Sequence, residues 1–406
     1  MARDSLALIA NVALNGALGL VFWLAVARLY PTDVVGTASA VISAMILSAG
    51  IGWFGWQFVL LRYLPVAGSM GGRLVASCYL VAIVVSVPAA VCVALLGPEA
   101  VRTHAGPATL VVASLIWVVF SLQDAALIGL GRAALVPIEN AAFGTAKLLA
   151  IVALASSQQP MAIVGGWVAS AAAVAVVVNV ALLRPALARA RPAVHLPPTT
   201  SLARFGIAQH VAAIATALPD SLVPLLVIAT LGPSASAHYY AAWTVAFSLR
   251  LTTVSLANVY TARAARHQYR ERARAELWPL ALILVSGLVA FGLLAADPAL
   301  SLFGPGYEAG VPVLRWMAVG MIPFAFVTIA VARHRVESRS ATAVAVGSIA
   351  TIVTLGLDVL LLPRMGIEAT GIAWLVGWSL AAVALIIGGR GRNSPLRIGN
   401  SPRLRV

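Results

Sequence analysis

Long apolar runs, each closed by a short cluster of Gly, Pro or Arg, recur from one end of the chain to the other. Each is long enough to cross about 30 Å of hydrocarbon as a helix. They divide at 5–29, 35–61, 74–96, 108–130, 134–155, 161–183, 205–230, 237–260, 277–296, 311–332, 341–362 and 369–388. The pattern predicts an all-α integral membrane protein with about twelve transmembrane helices and short connections. The divisions within 130–183 and 205–260 rest on Gly131-Arg132, on Ser156 to Pro160 and on Gly232-Pro233, residue types that punctuate helices. The first run ends in a small-x-small triplet, Ala25-Val26-Ala27. It is nonetheless longer than the roughly 7–15 residues of a signal-peptide core, so it reads as a retained span.

The pattern repeats. Leu29-Tyr30-Pro31 follows the first span and Leu231-Gly232-Pro233 the seventh, an offset of 202 residues; the same offset carries Arg62 into an Arg-rich loop and Arg3 to the neighbour of Arg204. Two six-helix halves of equal orientation around a central cavity are a parallel-repeat plan found in secondary transporters. The expected organisation is a lobe over 1–183, a basic cytoplasmic linker over 184–204, a second lobe over 205–388 and a basic cytoplasmic tail over 389–406.

Composition agrees and charge adds orientation. Of 406 residues 61% are hydrophobic and 10% charged, against about 45–50% and about 25% in soluble domains. The net charge is +14. If the N-terminus is cytoplasmic, 21 of the 27 basic residues fall in inner segments and three in outer ones, the asymmetry that positively charged loops impose on insertion. Both termini are therefore expected in the cytoplasm, in the cell membrane. The densest basic stretch, TARAARHQYRERARAE at 261–276, becomes the inner loop between spans eight and nine, lying on anionic lipids. No folded domain or aromatic platform accompanies it, so nucleic acid is excluded as a partner. Cys78 and Cys92 share one span, about 21 Å apart along a helix, too far to bridge.

Charges inside spans are costly, roughly 2.5–3.5 kcal/mol on translocon scales, and so are candidate functional groups. Arg250 lies mid-span with Thr244, Ser248, Thr252 and Ser255 along one helical face, a candidate wall for substrate. Its alternative is a structural pairing with Asp220. Asp220 sits between Pro219 and Pro224, which should bend or break the seventh helix around a carboxylate suited to ion coupling. Lys147, Arg315, Arg28 and Asn15 are further substrate-binding candidates. Asp124 is a second ion-coupling candidate, and it or Glu139 could pair with Lys147. Asn11 and Asn15, one turn apart, are expected on an interhelical face. His210 reads equally as a packed polar group or a proton carrier. No metal-ligand spacing and no Gly-rich phosphate loop occur, so no cofactor is expected.

Three stretches resemble a known family. YPTDVVGTASAVISAMILSAGIGWFGWQFVLLRYLP (30–65) is similar to the first hairpin of bacterial polysaccharide flippases. LFGPGYEAGVPVLRWMAVGMIPFAF (302–326) resembles their entry into span ten, and LDVLLLPRMGIEATGIAWLVGW (357–378) their eleven-to-twelve hairpin. Two positions depart: Asp358 stands where such proteins often carry Asn, and Ala369-Thr370-Gly371 replaces the usual Gly-Ala-Ala. The resemblance is to Wzx-type O-antigen and exopolysaccharide flippases of the multidrug/oligosaccharidyl-lipid/polysaccharide exporter superfamily. It implies translocation of a polyprenyl-pyrophosphate-linked oligosaccharide from the inner to the outer leaflet by alternating access, with a polysaccharide polymerase and glycosyltransferases as partners. A cation-coupled multidrug exporter of the same superfamily is the alternative. A membrane glycosyltransferase or polymerase is disfavoured, since no Asp-x-Asp occurs and the longest outer connection is only 297–310. The protein is thus expected not to be an enzyme.

Overall fold

The computed structural model describes residues 2–53, 55–188, 196–264, 270–336 and 340–390, and among them every regular element is helical. In order these are α1 (Ala2–Leu29), α2 (Thr32–Trp53), α3 (Trp56–Ala67), α4 (Gly71–Leu96), α5 (Glu99–His104), α6 (Pro107–Gly129), α7 (Val136–Ala153), α8 (Pro160–Val177) continued by a π-helical turn (Val178–Leu183), and α9 (Arg184–Ala188). The second series is α10 (Thr199–Leu231), α11 (Pro233–Ala264), α12 (Arg270–Leu294), α13 (Ala296–Ser301), α14 (Val311–Val336), α15 (Ser340–Met365) and α16 (Glu368–Arg390). Eleven of the twelve predicted spans fall on one long helix each. A short helix follows α4 in the first series and α12 in the second, α5 and α13 respectively.

Among the described residues eight helical segments, or nine counting the bent α10, are long and apolar enough to cross a membrane. The helices at the first and ninth predicted spans carry shorter apolar stretches, Leu14–Leu29 and Pro279–Leu294. Their other ends hold Arg3, Asp4 and Asn11, and Arg270 to Glu276, respectively. The second predicted span divides in two, with α2 ending at Trp53 and α3 starting at Trp56. Helix α10 turns by 51° between Thr199–Val211 and Thr216–Leu231. The bend sits one turn before Pro219 rather than around Asp220, because a proline ring clashes with the carbonyl four residues earlier. The core of the Arg-rich run, 265–269, and the tail from 391 lie outside the described residues, as does 189–195 of the linker. Helices α11 and α12 enter that run from either side. A cysteine placed at Arg270, with Cys78 and Cys92 replaced, is expected to resist impermeant maleimide added outside intact cells; outside labelling would reverse the orientation.

Helix α2 is the hub, packing on α4, α6 and α8 of the first series and on α10 and α11 of the second. It can do so because its faces are small: Gly36, Ser39, Ala40, Ser43, Ala44, Ser48 and Ala49 are all buried. In lipid, close backbone approach between small residues replaces the hydrophobic drive for helix association. The buried hydroxyls are satisfied locally, Ser39 donating to Gly36 O at 2.8 Å and Ser48 to Ala44 O at 2.8 Å. At Gly36 an added Cβ would overlap Pro233 O at the start of α11, an immovable backbone atom. Gly36→Val is therefore expected to cost at least about 1–3 kcal/mol by overpacking, read as a fall in melting temperature of the detergent-purified protein. A variant that melts like wild type would show that the α2–α11 approach is not tight.

Candidate functional site: three buried polar centres

The first centre joins α10 to α11. Arg250 Nη1 donates to Asp220 Oδ1 at 2.8 Å and Nη2 to Asp220 Oδ2 at 2.6 Å, a two-pronged bond. The planar guanidinium matches a carboxylate fork in this way. Its carbon lies 4.8 Å from the Phe247 ring centroid and 5.9 Å from that of Phe324 on α14. The pairing arises because consecutive antiparallel helices bring their midpoints together. Of the two sequence readings of Arg250, the structure realises the pairing, and both charges are spoken for within the bundle. The cavity beside the pair holds about 20 Å³, room for about one water, so no sugar fits there in this conformation. Asp358 on α15, which sequence reasoning noted only as a departure, is fully buried, and neither of its carboxylate oxygens meets a donor among the described residues. Its one visible signal was an acid within an otherwise apolar span.

The hydroxyl face of α11 is turned back on its own helix. Thr244, Ser248, Thr252 and Ser255 donate to the carbonyls of Tyr240, Thr244, Ser248 and Leu251, at 2.8, 3.0, 3.4 and 2.8 Å respectively. Their donors are used locally and only acceptor lone pairs remain for a ligand.

The second centre is Lys147 on α7, which is buried. Its Nζ lies 3.9 Å from the Trp167 centroid on α8, 4.7 Å from Phe22 on α1 and 4.8 Å from Phe143 on α7. Trp23, Trp117 and Phe120 extend this aromatic cluster, and Trp23 reaches Tyr240 of α11 at 4.6 Å between centroids. Each desolvated ring face contributes roughly 0.5–2 kcal/mol to a cation, so three together offset the cost of an intramembrane ammonium without a counter-ion. The expected pairing of Lys147 with Asp124 or Glu139 does not form. Glu139 and Lys147 are eight residues apart on α7, about 12 Å, with Phe143 between them.

The third centre is those two acids. Glu139 on α7 is buried and Asp124 on α6 half-buried, and both Glu139 oxygens and Asp124 Oδ1 meet no donor among the described residues. Asn140 Nδ2 donates to Asp124 Oδ2 at 3.2 Å. Beside them Tyr79 OH donates to Asn179 Oδ1 at 3.1 Å, and Asn179 Nδ2 donates to Gln123 Oε1 at 3.1 Å. Asn179 sits in the π-helical turn after α8, a feature that re-aims side chains and is frequent at functional sites.

The remaining candidates stand apart. Arg28 donates to the carbonyls of Leu302 at 2.7 Å and Ser301 at 3.2 Å, tying α1 to the end of α13. Arg315 pairs with Asp297 at 2.6 Å, both about half exposed. Asn15 donates to Asn11 at 3.3 Å within α1 rather than across to another helix. His210 accepts from Gly55 N–H at 3.3 Å, holding the break between α2 and α3; that role is packing, and only the three-dimensional approach of α10 reveals it.

No protein-family model and no curated protein matches this sequence. Solved structures do. An inward-facing multidrug resistance MATE family transporter of the MOP superfamily is 16% identical over 94% of this chain and 94% of its own, with a TM-score of 0.69. An outward-facing one is 16% identical over 96% and 95%, at 0.65. A MOP superfamily transporter from Pyrococcus furiosus Vc1 (DSM3638), whose reversed pocket polarity suggests a different function, is 15% identical over 96% and 95%, also at 0.65. Over nearly its whole length, then, this membrane protein has the fold of the MATE transporters.

Proposed function

We propose that the protein is a flippase carrying a polyprenyl-pyrophosphate-linked oligosaccharide across the membrane in which its helices lie. The observation that carries this reading is Lys147. A cation kept in a span without a carboxylate partner is retained where it meets an anion that comes and goes. A pyrophosphate entering a low-dielectric bundle needs such a charge, because an unpaired buried anion is prohibitively costly. The surrounding aromatic faces suit sugar rings and isoprene units alike, while the polyprenyl tail stays in lipid. Solved relatives of this fold stand in both inward- and outward-facing states, which supports alternating access here. On this reading glycosyltransferases supply the lipid-linked glycan and a polymerase consumes it.

A cation exporter is the second reading, favoured by buried acids that no described Lys or Arg neutralises, Asp358 among them. Binding separates the two. Purified protein in nanodiscs is titrated with farnesyl pyrophosphate as an isoprenyl-pyrophosphate probe, and with tetraphenylphosphonium as a lipophilic cation. Tryptophan fluorescence reads both, since Trp23, Trp117 and Trp167 cluster around Lys147. The flippase reading expects saturable quenching by farnesyl pyrophosphate. Response to the phosphonium alone would replace it with the exporter.

A further inference from the structure

A cavity far larger than the one beside Arg250 lies where α3 gives way to α4 and where α10 begins. It holds about 570 Å³, within the roughly 300–1,000 Å³ of ligand sites. One wall is α4, and another is the chain entering α10, Leu196 to Ala203. Trp56 of α3 lines it too, and its ring packs against α10, where a Cβ on Gly206 would come within 2.8 Å. Helices otherwise close-pack, with few voids larger than a water, so an opening of this size has an occupant.

The lining is ordered along α4. Arg73, Ser77 and Val81 line the cavity four residues apart, so they share one helical face over about 12 Å. All three are exposed, whereas Leu74 and Cys78 beside them are buried. Arg73 is the third residue of α4, at the level where a span leaves the headgroups, and Val81 lies a further two turns into the apolar run. From the helix start inward the order is charge, hydroxyl, hydrocarbon. A phospholipid runs in the same order from phosphate to acyl chain. Nothing on these elements cancels the charge, since neither 34–98 nor 140–219 holds an Asp or Glu. Arg204, exposed and next to the lining residue Ala203, adds a second cation.

We propose that this cavity binds one anionic phospholipid, its phosphate on Arg73 and one acyl chain against Val81 and Trp56. In the orientation expected from the arginine bias its mouth opens at the cytoplasmic face, where anionic lipids gather. Its walls come from both series of helices, so the bound lipid joins α3 and α4 to the start of α10. Lys147 is buried within the bundle, but this site is reached from the membrane itself. It stands whether the cargo is a lipid-linked glycan or a cation.

Native mass spectrometry of delipidated protein in detergent reads the site. Titrated with palmitoyl-oleoyl phosphatidylglycerol, wild type is expected to retain one molecule ahead of all others, and to prefer it over phosphatidylcholine of the same chains. Arg73→Gln should cut that preference about fivefold, which corresponds to about 1 kcal/mol for a basic residue near an anionic surface. The exposed position of Arg73 protects folding. Ser77→Trp, which fills the cavity from an exposed position, should remove the first lipid of either kind, while Lys147→Met should change neither. In phosphatidylcholine nanodiscs doped with phosphatidylglycerol brominated on one acyl chain, a larger fraction of the fluorescence should be quenched in wild type than in Trp56→Phe. Equal retention of the two lipids by wild type, or a preference unchanged in Arg73→Gln, would overturn the anionic site. First-lipid retention that survives Ser77→Trp, with equal quenching in Trp56→Phe, would overturn its placement in this cavity. Displacement of phosphatidylglycerol by equimolar farnesyl pyrophosphate in wild type and Lys147→Met alike would overturn the phospholipid assignment and make the cavity a cargo entrance.

Discussion

Removing Lys147's charge is expected to weaken cargo binding while leaving stability unchanged or higher. In Lys147→Met an unbranched thioether replaces the ammonium among Phe22, Phe143 and Trp167. Sulfur–aromatic contacts are favourable and the volume is nearly kept. Replacing a buried charge by a well-packed apolar group is often neutral or stabilising, so the melting temperature should hold or rise. Binding should move the other way: a hydrogen bond to a charged group contributes about 1.5–3 kcal/mol, which corresponds to a loss of about 10–100-fold in affinity for farnesyl pyrophosphate. Lys147→Arg should recover binding only in part, because the broader guanidinium must disturb the ring enclosure to fit. The split between stability and binding is what separates an anion site from a structural ammonium. Equal loss of both in Lys147→Met would mean that the cage exists to hold the helices together.

The second large effect belongs to the Arg250–Asp220 fork. Arg250→Ala is expected to lower stability by about 3–5 kcal/mol, the cost of leaving one partner of a largely buried pair uncompensated. Asp220→Ala should cost a similar amount by stranding the guanidinium. In Arg250→Met/Asp220→Leu the charges vanish together and the apolar volume is restored, so most of the loss should be recovered. Fluorescence-detected gel filtration of membrane extracts and thermal melts of the purified variants read both quantities. If Arg250→Ala melts like wild type, the pair is open in the membrane and Arg250 is free to meet an anion. Recovery of transport as well as folding in the double variant would confine Arg250 to a structural role.

These two expectations come from parts of the chain that were legible to different degrees. The Arg250–Asp220 pairing could be named from the sequence because each residue sits near the middle of a span and the spans are consecutive. Antiparallel neighbours joined by Gly232-Pro233 must set their midpoints side by side. Nothing comparable tied Lys147 to its rings. Phe22, Phe143 and Trp167 come from α1, α7 and α8, and many apolar positions on those helices would serve equally until rotation and tilt are known. The same indeterminacy led to the pairing of Lys147 with Asp124 or Glu139 that the structure replaces.

What the sequence by itself determined is whatever depends on composition along one dimension. The order and ends of the long helices, the expected orientation from the arginine bias, and the repetition at 202 residues all follow from the cost of placing polar groups in hydrocarbon. Prolines and glycines added local breaks, though Pro219 bends α10 a turn earlier than its own position. Tertiary structure alone decided which face of each helix meets which neighbour. In a bundle apolar on nearly every side, hydropathy has almost no period to mark an inward face. Facing is chosen instead by close contacts such as Gly36 against Pro233 and by the few polar groups that must find one another. That is why Asn140 meets Asp124 across α6 and α7, why Asn179 reaches Tyr79 and Gln123 from a π turn, and why the one lysine stands among rings.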